Sequence, residues 1–307
     1  MTGGGFDEAA ARRHNSLMPQ PPLTVFYSPT YVVEGRMETV TKSKFVAKLI
    51  ESGKAGEVRL QAPKLATRKE LELIHDPEYV RRTFEETSAF LEVGPWSLPL
   101  LNSILASTGG MRDAVNEALR SGRSGSLSSG LHHARRRSGN GFCQFNGLAL
   151  AALEALKKVK TVGILDLDAH AGGGTFDILG DDPRVYLADI TVNSFDSWEP
   201  TNSSRHFYHE VRDPQSYLGQ VEDALHLLEP VDCLIYNAGM DTYEKAGGLK
   251  GITKDIIRKR ERLVAEWARR RKIPHLFALA GGYKWGGLNL EQIAELHLET
   301  VQAFAQP

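Results

Sequence analysis

The chain has 307 residues, of which 41% are hydrophobic and 24% charged, and its formal net charge is −1. This balance is typical of a globular protein, and it gives no reason to expect nucleic-acid binding through bulk charge. Two cysteines are too few for a disulfide framework. No run is apolar for long enough to cross a membrane, and the N-terminus lacks the apolar core of a secretion signal. We therefore expect a cytoplasmic protein that acts on neither nucleic acid nor a membrane.

Short apolar runs alternate with longer amphipathic runs along the chain. Strands are predicted at 23–27, 162–167, 185–190, 233–238 and 275–280. Helices are predicted at 43–52, 68–86, 101–119, 145–157, 216–228, 254–271 and 290–304. This alternation indicates right-handed βαβ units. We predict an α/β fold: a flexible N-terminal lead-in at 1–22, then a single doubly wound domain at 23–307 with a parallel sheet flanked by helices.

Two stretches are rich in the residues that interrupt helices and strands. SGRSGSLSSG at 121–130 is predicted to be a flexible loop directly before a pair of histidines. The stretch 84–99 holds glycine, proline and several glutamates, and we interpret it as a loop able to fold over a cleft.

The most informative segment is TVGILDLDAH at 161–170, where an apolar run ends in two carboxylates and an imidazole. Side chains two residues apart on a strand point the same way. Asp166, Asp168 and His170 are therefore predicted to project together from the C-terminal end of the strand. Asp168 and His170 then offer an oxygen and a nitrogen ligand to a metal ion. Taken alone, the triplet is more often a helix-capping aspartate followed by a loop histidine.

Three other polar clusters strengthen the interpretation as a site, because ligands of parallel sheets bind beyond the C-terminal ends of the strands. They are NAGMD at 237–241, AGGY at 280–283, and LHHA at 131–134 followed by GFCQFN at 141–146. Asp241 would complete a set of three ligands, and catalytic zinc keeps three protein ligands and one open position. Such a set also accepts iron(II), so zinc and iron both remain open.

The side chains in these clusters are those that amide hydrolysis needs. The tandem His132 and His133 can supply a base that takes a proton from water and returns it to a leaving group. Asp166 can hydrogen-bond one of them and set its tautomer, and Tyr283 can donate to an oxyanion. Each cluster alone is more often structural: a polar loop, a helix N-cap or a tight turn. Only their joint occurrence favours a catalytic site.

Seven motifs, in this order and approximate spacing, resemble those of the zinc-dependent histone deacetylase family, which includes bacterial acetylpolyamine amidohydrolases and acetoin-utilisation proteins. They are HDPEYV (75–80), GLHHA (130–134), GFCQFN (141–146), DLDAH (166–170), AGMD (238–241), GGLKGIT (247–253) and AGGY (280–283). The resemblance runs from about residue 23 to 305 and implies the arginase–deacetylase fold. It also implies that Asp168, His170 and Asp241 hold Zn²⁺, with a structural K⁺ held by backbone oxygens near the DxDxH segment.

The resemblance further implies the roles of the remaining site residues. His133 would be the general base and acid, and His132 an electrostatic partner paired with Asp166. Tyr283 would polarise the acyl carbonyl. The substrate would be an acylated lysine peptide or a small acylated amine.

The resemblance also implies a narrow tunnel for the acylated side chain. Gly141 and Phe142 would line it, and a second aromatic wall would come from Phe195 or Trp198.

The chain departs from the family pattern in several places. The asparagine or aspartate that orients the second histidine in the family is replaced by Gly173, a loss expected to cost about 10–100-fold in activity. The proline-rich approach to the histidine pair is replaced by SSGL at 128–131, and GGLKG has no acidic gatekeeper. For the substrate-gripping aspartate there are only the candidates Glu85, Glu86 and Glu92. We therefore expect an altered or slower site.

Two other functions remain open from the sequence. The first is a metal-bearing protein that binds acylated ligands but has weak or lost catalysis, suggested by Gly173. The second is an arginase-like dimanganese ureohydrolase, since DAH also occurs there; the missing bridging aspartates count against it. The sequence does not indicate the oligomeric state.

Overall fold

The computed structural model describes residues 21–33, 38–88 and 90–306. Nearly all of the predicted lead-in at 1–22 therefore lies outside the described residues. The strands of the described ranges are β1 (Leu23–Phe26), β2 (Val58–Gln61), β3 (Phe90–Leu91), β4 (Gly94–Pro95), β5 (Arg123–Ser126), β6 (Val162–Asp166), β7 (Val185–Thr191), β8 (His206–Glu210), β9 (Cys233–Ala238) and β10 (His275–Leu279).

The α-helices pack on both faces of the sheet, and short 3₁₀ turns join some of the elements. The described helices are α1 (Glu38–Glu51), α2 (Arg68–Leu71), α3 (Pro77–Glu85), α4 (Leu98–Ser121), α5 (Gly147–Ala155), α6 (Gly173–Leu179), α7 (Tyr217–Leu227), α8 (Lys254–Arg271) and α9 (Leu290–Ala305). Among these helices, none combines the length and the apolar character needed to cross a membrane.

Eight of the described strands form one sheet in the order β2-β1-β5-β10-β9-β6-β7-β8, while β3 and β4 make a separate antiparallel pair. Every neighbouring pair in the large sheet is parallel. From β6 the chain winds one way to β8, then returns to build β9 and β10 on the other side of β6. This reversal makes the boundary between β6 and β9 a switch point, where such sheets bind ligands. The predicted fold class is confirmed.

The sheet is buried on both faces, as a parallel sheet flanked by helices requires. In β9, Leu234 and Tyr236 belong to the apolar cluster that also contains residues of α1, α7, α8 and α9. Cys233 and Ile235 belong to the cluster on the other face, formed with α4 and α5. All six residues of β9 are buried, and the polar Asn237 lies near its C-terminal end, next to the site.

Most predicted elements are confirmed to within a few residues, and the bounds of α8 and β9 match the prediction. The single helix predicted at 68–86 is wrong, because the chain forms two helices there. The second begins at Pro77, with the Asp76 carboxylate accepting a hydrogen bond from the Glu78 N–H. An aspartate cap followed by proline is a strong helix start. The sequence did not indicate β2, β8 or α6, nor the short β3 and β4 within the stretch 84–99 interpreted as a loop.

The flexible loop predicted at 121–130 is also wrong, because β5 lies within it, in the sheet between β1 and β10. Its small residues reflect close packing. A Cβ on Gly125 would lie 2.2 Å from the ring of Phe277, which is fully buried in β10. Gly125 thus lies in the strand where space is too small for a side chain, although glycine and serine in the sequence are typical of a loop.

We expect Gly125→Ala to lower the free energy of unfolding by about 1–3 kcal/mol, because the added methyl group overpacks the core against Phe277. Urea denaturation measures the change. Gly219→Ala is the matched control, since Gly219 lies exposed on α7 with no atom within 4 Å of the new Cβ; alanine should stabilise that helix slightly. Equal stability of the two variants would contradict the packing argument.

Candidate active site

Three side chains predicted to bind metal come together at the switch point. Asp166 at the end of β6 lies opposite Asn237 of β9, so the segments that follow these strands are neighbours. Asp168 and His170 come from the first segment and Asp241 from the second, and their ligand atoms all lie within 4.8 Å of one another. The two carboxylates are buried, at 2% and 1% exposed.

The chemistry of this cluster fits a divalent cation. His170 Nδ1 lies 3.2 Å from Asp168 Oδ1 and 3.4 Å from Asp241 Oδ2. Asp241 Oδ2 is buried and has no hydrogen-bond partner among the described residues. Burial opposes protonation of His170, yet the two carboxylates raise its pKa to about 10. The surroundings therefore favour positive charge at this point, as a metal would supply.

Backbone amides hold the two carboxylates in place. The Gly281 N–H of the AGGY turn donates to Asp168 Oδ2 at 2.6 Å. The Ala169 N–H donates to Asp241 Oδ1 at 3.0 Å. Asp168 Oδ1 also accepts the His170 N–H at 3.0 Å. These contacts link three of the sequence motifs, and Asp168 Oδ1 and Asp241 Oδ2 are the oxygens that lie nearest the His170 ring.

A buried arginine, which the sequence analysis did not identify, binds the two segments that follow β6 and β9. Arg260 of α8 is fully buried. Its guanidinium donates to the carbonyls of Leu167 at 3.2 Å and Gly239 at 2.7 Å and to the hydroxyl of Thr242 at 2.9 Å. Glu261 balances its charge through a 2.6 Å ion pair. Arg260 therefore joins both segments that carry the candidate metal ligands.

The two adjacent histidines lie beside the cluster in unlike electrostatic surroundings. Their ring centroids are 3.9 Å apart. His132 Nδ1 lies 2.7 Å from Asp166 Oδ2; burial opposes its charge, but Asp166 and Asp168 raise its pKa to about 10. For His133, burial and the neighbouring His132 lower the pKa. Positive charge is thus favoured on His132 and neutrality on His133.

His133 has a carboxylate partner that the sequence analysis missed. Its Nδ1 lies 2.9 Å from Oδ2 of Asp196, a residue in the segment after β7. No local sequence motif indicates that Asp196 contacts His133. The sequence offered only an indirect indication, because Gly173 has no side chain at the position that orients the second histidine in the family.

A histidine of the HDPEYV motif forms hydrogen bonds with the loop that carries the histidine pair. His75 Nε2 accepts a hydrogen bond from the Asn146 N–H at 3.0 Å, so its Nδ1 donates to the Arg135 carbonyl at 2.8 Å. Burial lowers the pKa of His75 to about 4, which keeps it neutral. Asn146 also donates to the Ala134 carbonyl at 3.1 Å. The loop that carries His132 and His133 is thereby fixed from two motifs.

A pocket leads from the surface to this site. Its lining includes both exposed and buried residues: Phe142 is 41% exposed, whereas Tyr31 is 1% exposed. Gly141 and Tyr283 also contribute to the lining. The Tyr283 ring stacks on that of Trp285 at 4.5 Å.

Of the two candidates for a second aromatic wall, Phe195 lies near the site. Its ring centroid is 5.0 Å from that of His133 and 5.9 Å from that of His170. Trp198 is buried elsewhere, where it donates to Asp189 at 2.9 Å.

The three candidate substrate-gripping glutamates differ in their positions. Glu85 and Glu86 pair with arginines on the exposed surface around α3. Glu92 packs against the loop that precedes the pocket residues Gly141 and Phe142, since a Cβ on Gly139 would lie 2.3 Å from its Cγ. Burial raises the pKa of Glu92, and a hydrogen bond from the Phe142 backbone opposes the rise. Glu92 is therefore the one of the three that lies near the pocket.

The histone deacetylase domain model matches residues 35–205, more than half of the chain. The chain belongs to the histone deacetylase family. An uncharacterized protein of Picosynechococcus sp. is 31% identical over 276 residues, covering 84% of this chain and 91% of that protein. Histone deacetylase 2 of Arabidopsis thaliana is 27% identical over 299 residues, covering 87% and 76%. Membership supports a deacetylase enzyme that hydrolyses acyl–amine bonds, in a family that is generally metal-dependent.

Two solved structures share the fold. Acetylpolyamine aminohydrolase from Burkholderia pseudomallei superposes with a TM-score of 0.76 at 17% identity, covering 92% of this chain and 98% of that one. The HDA15 HD domain gives 0.77 at 18% identity, covering 93% and 90%. These likenesses confirm the predicted histone deacetylase type of α/β architecture.

We expect Arg260→Met to lower the free energy of unfolding by about 3–5 kcal/mol, because it leaves Glu261 buried without its cation. Metal affinity should fall as well, since Leu167 and Gly239 lose their common donor. Urea denaturation and a metal titration measure the two effects. Arg262→Met is the control, as Arg262 is exposed on the same helix and should change stability by no more than about 0.5 kcal/mol. A similar small change in both variants would refute the role of Arg260.

Proposed function

We propose that this deacetylase is a zinc-dependent amidohydrolase that removes an acyl group from acyl-lysine or a related acylated amine. One observation carries the proposal: Asp168, His132, His133 and Tyr283 line the same pocket. A candidate metal ligand, two histidines and a phenol then face one substrate. We assign the activity to the predicted catalytic domain at 23–307.

Asp168, His170 and Asp241 would hold the metal. When bound, zinc lowers the pKa of a water ligand and polarises a carbonyl oxygen. We propose zinc over iron(II) because catalytic zinc characteristically has three oxygen or nitrogen protein ligands and an open position. The structural K⁺ expected near the DxDxH segment remains part of the proposal.

His133 would act as general base and then as general acid. An ionised carboxylate only accepts hydrogen bonds, so the Asp196 contact puts the proton of His133 on Nδ1. Nε2 then keeps its lone pair and can take a proton from water. The same nitrogen returns the proton to the amine as the C–N bond breaks.

His132 and Tyr283 would stabilise the negative charge that develops during attack. His132, paired with Asp166, would stay protonated and act through its charge. The Tyr283 hydroxyl would donate to the acyl oxygen as it becomes an oxyanion. Gly141 and Phe142 would line the passage for the acylated side chain.

The relatives support the proposed substrate class. Acetylpolyamine aminohydrolase from Burkholderia pseudomallei has the same fold, and the polyamine deacetylase HDAC10 of Mus musculus is 30% identical over 139 residues, 39% of this chain. We therefore propose an acylated lysine peptide or a small acylated amine as substrate.

The alternative is a metal-bearing protein that binds acylated ligands without efficient turnover. This alternative was suggested by the absence of an orienting side chain at Gly173. The Asp196 contact weakens that argument, since His133 does have a carboxylate partner. An arginase-like ureohydrolase is disfavoured by the family match.

Zinc-loaded protein should hydrolyse acetyl-lysine peptides or acetylated polyamines, and Asp168→Ala should abolish turnover because it removes a metal ligand. Asp223→Ala is the control, as Asp223 is exposed on α7 and should keep full activity. Amine release measures the rate, with longer acyl groups tested in parallel. Tight ligand binding without turnover by folded, zinc-loaded protein would favour the binding-protein alternative.

Zinc should also stabilise the fold, independently of any substrate. A ligand that binds only the folded state adds about 4 kcal/mol when its free concentration is about 1,000 times its Kd. Thermal unfolding with buffered zinc would show a rise in Tm that Asp241→Ala abolishes. Equal shifts in the wild type and in Asp241→Ala would mean that zinc binds elsewhere.

A further inference from the structure

We propose that Asp196 is the positioning residue for His133, in place of the family's side chain at the position of Gly173. The proposal rests on the proposed function, in which His133 is the base. It reverses the expectation that Gly173 leaves the base without an orienting partner.

The first support is the way in which the Asp196 carboxylate is held. Its side chain is 1% exposed, and Oδ2 lies 2.9 Å from His133 Nδ1. The same Oδ2 accepts the Gly174 N–H at 3.2 Å, while Arg135 donates to Oδ1. Both oxygens are thus fixed by the protein, and a carboxylate held in this way can set the orientation of the imidazole.

The second support is the space around Gly173. A Cβ there would lie 2.3 Å from the backbone oxygen of Asp196 and 2.7 Å from its Oδ1. Any side chain at position 173 would collide with Asp196 as it now lies. The glycine and the aspartate are therefore two parts of one arrangement: the chain lacks a carboxylate at 173 because one enters from the segment after β7.

The third support is the backbone of that segment. Asp196 has a φ of 59°, in the left-handed region that non-glycine residues adopt at a cost. Next to it, the Phe195 carbonyl accepts the Ala171 N–H at 3.1 Å, and the Phe195 N–H donates to Asn193 Oδ1 at 2.8 Å. These contacts hold a strained turn that presents Phe195 and Asp196 together to His133.

The consequence concerns the tautomer and the charge of the base. The carboxylate keeps the proton on Nδ1, leaves Nε2 facing the reaction, and stabilises the imidazolium that forms when the proton is taken. Loss of the carboxylate should lower kcat by about 10–100-fold with little change in KM, because ground-state binding of the substrate does not use it.

The test compares Asp196→Ala and the isosteric Asp196→Asn with the control Asp223→Asn in zinc-loaded protein. Both Asp196 variants should lose about 10–100-fold in kcat and retain zinc affinity. Nitrogen-15 NMR of the histidines should show that Asp196→Ala removes the fixed Nδ1–H state of His133. Wild-type kcat together with an unchanged His133 signal in both variants would overturn the proposal.

Gly173→Ala tests the shared space. Its methyl group would lie 2.3 Å from the backbone oxygen of Asp196 and 2.7 Å from its Oδ1, so it should displace Asp196, remove the fixed Nδ1–H state of His133 and lower kcat by about 10–100-fold. Wild-type kcat and an unchanged His133 signal in Gly173→Ala would overturn the proposal.

The NMR readout separates this proposal from the proposed function. If the wild type hydrolyses no acylated amine, the function fails, and the state of His133 still decides the role of Asp196. A His133 tautomer that is unchanged in Asp196→Ala then refutes the positioning role, and a lost Nδ1–H state supports it.

Discussion

The constraint on which the rest of the site depends is the burial of two carboxylates, Asp168 and Asp241, at the ends of adjacent strands. Two negative charges out of contact with water are costly unless hydrogen bonds and positive charge compensate them. Amide donors from Gly281 and Ala169 each take one oxygen. The remaining oxygens face His170, whose pKa rises because of them. Sheet topology brings the carboxylates together, and their burial favours positive charge between them.

Arg260 shows how the fold holds such a cluster without filling it. The guanidinium binds backbone carbonyls and a hydroxyl rather than the ligand carboxylates, so it fixes the segments and leaves the ligands free. Its charge is balanced by Glu261, to which Tyr236 of β9 also donates at 2.8 Å. A helix on one face of the sheet is thereby joined to the strand ends that carry the candidate metal site.

The sequence predicted those parts that depend on local pattern. Apolar periodicity located β9 and α8, and spacing along one strand grouped Asp168 with His170. It failed where packing between distant segments decides. β5 was mistaken for a loop because its glycine accommodates the Phe277 ring. Arg260 and Asp196 were missed since each acts through contacts with segments far away in the chain, and no residue spacing records such contacts.

The relation between Gly173 and Asp196 has a physical basis in the sheet. β6 and β7 are hydrogen-bonded neighbours, so the segments that follow them emerge side by side at the same edge. The imidazole requires an acceptor at Nδ1 and not a particular chain position, and Asp196 supplies it from the segment after β7. With that segment in place, the backbone oxygen and the carboxylate of Asp196 leave no space for a side chain at position 173. A motif compared position by position therefore indicates a lost residue where the folded site retains the interaction.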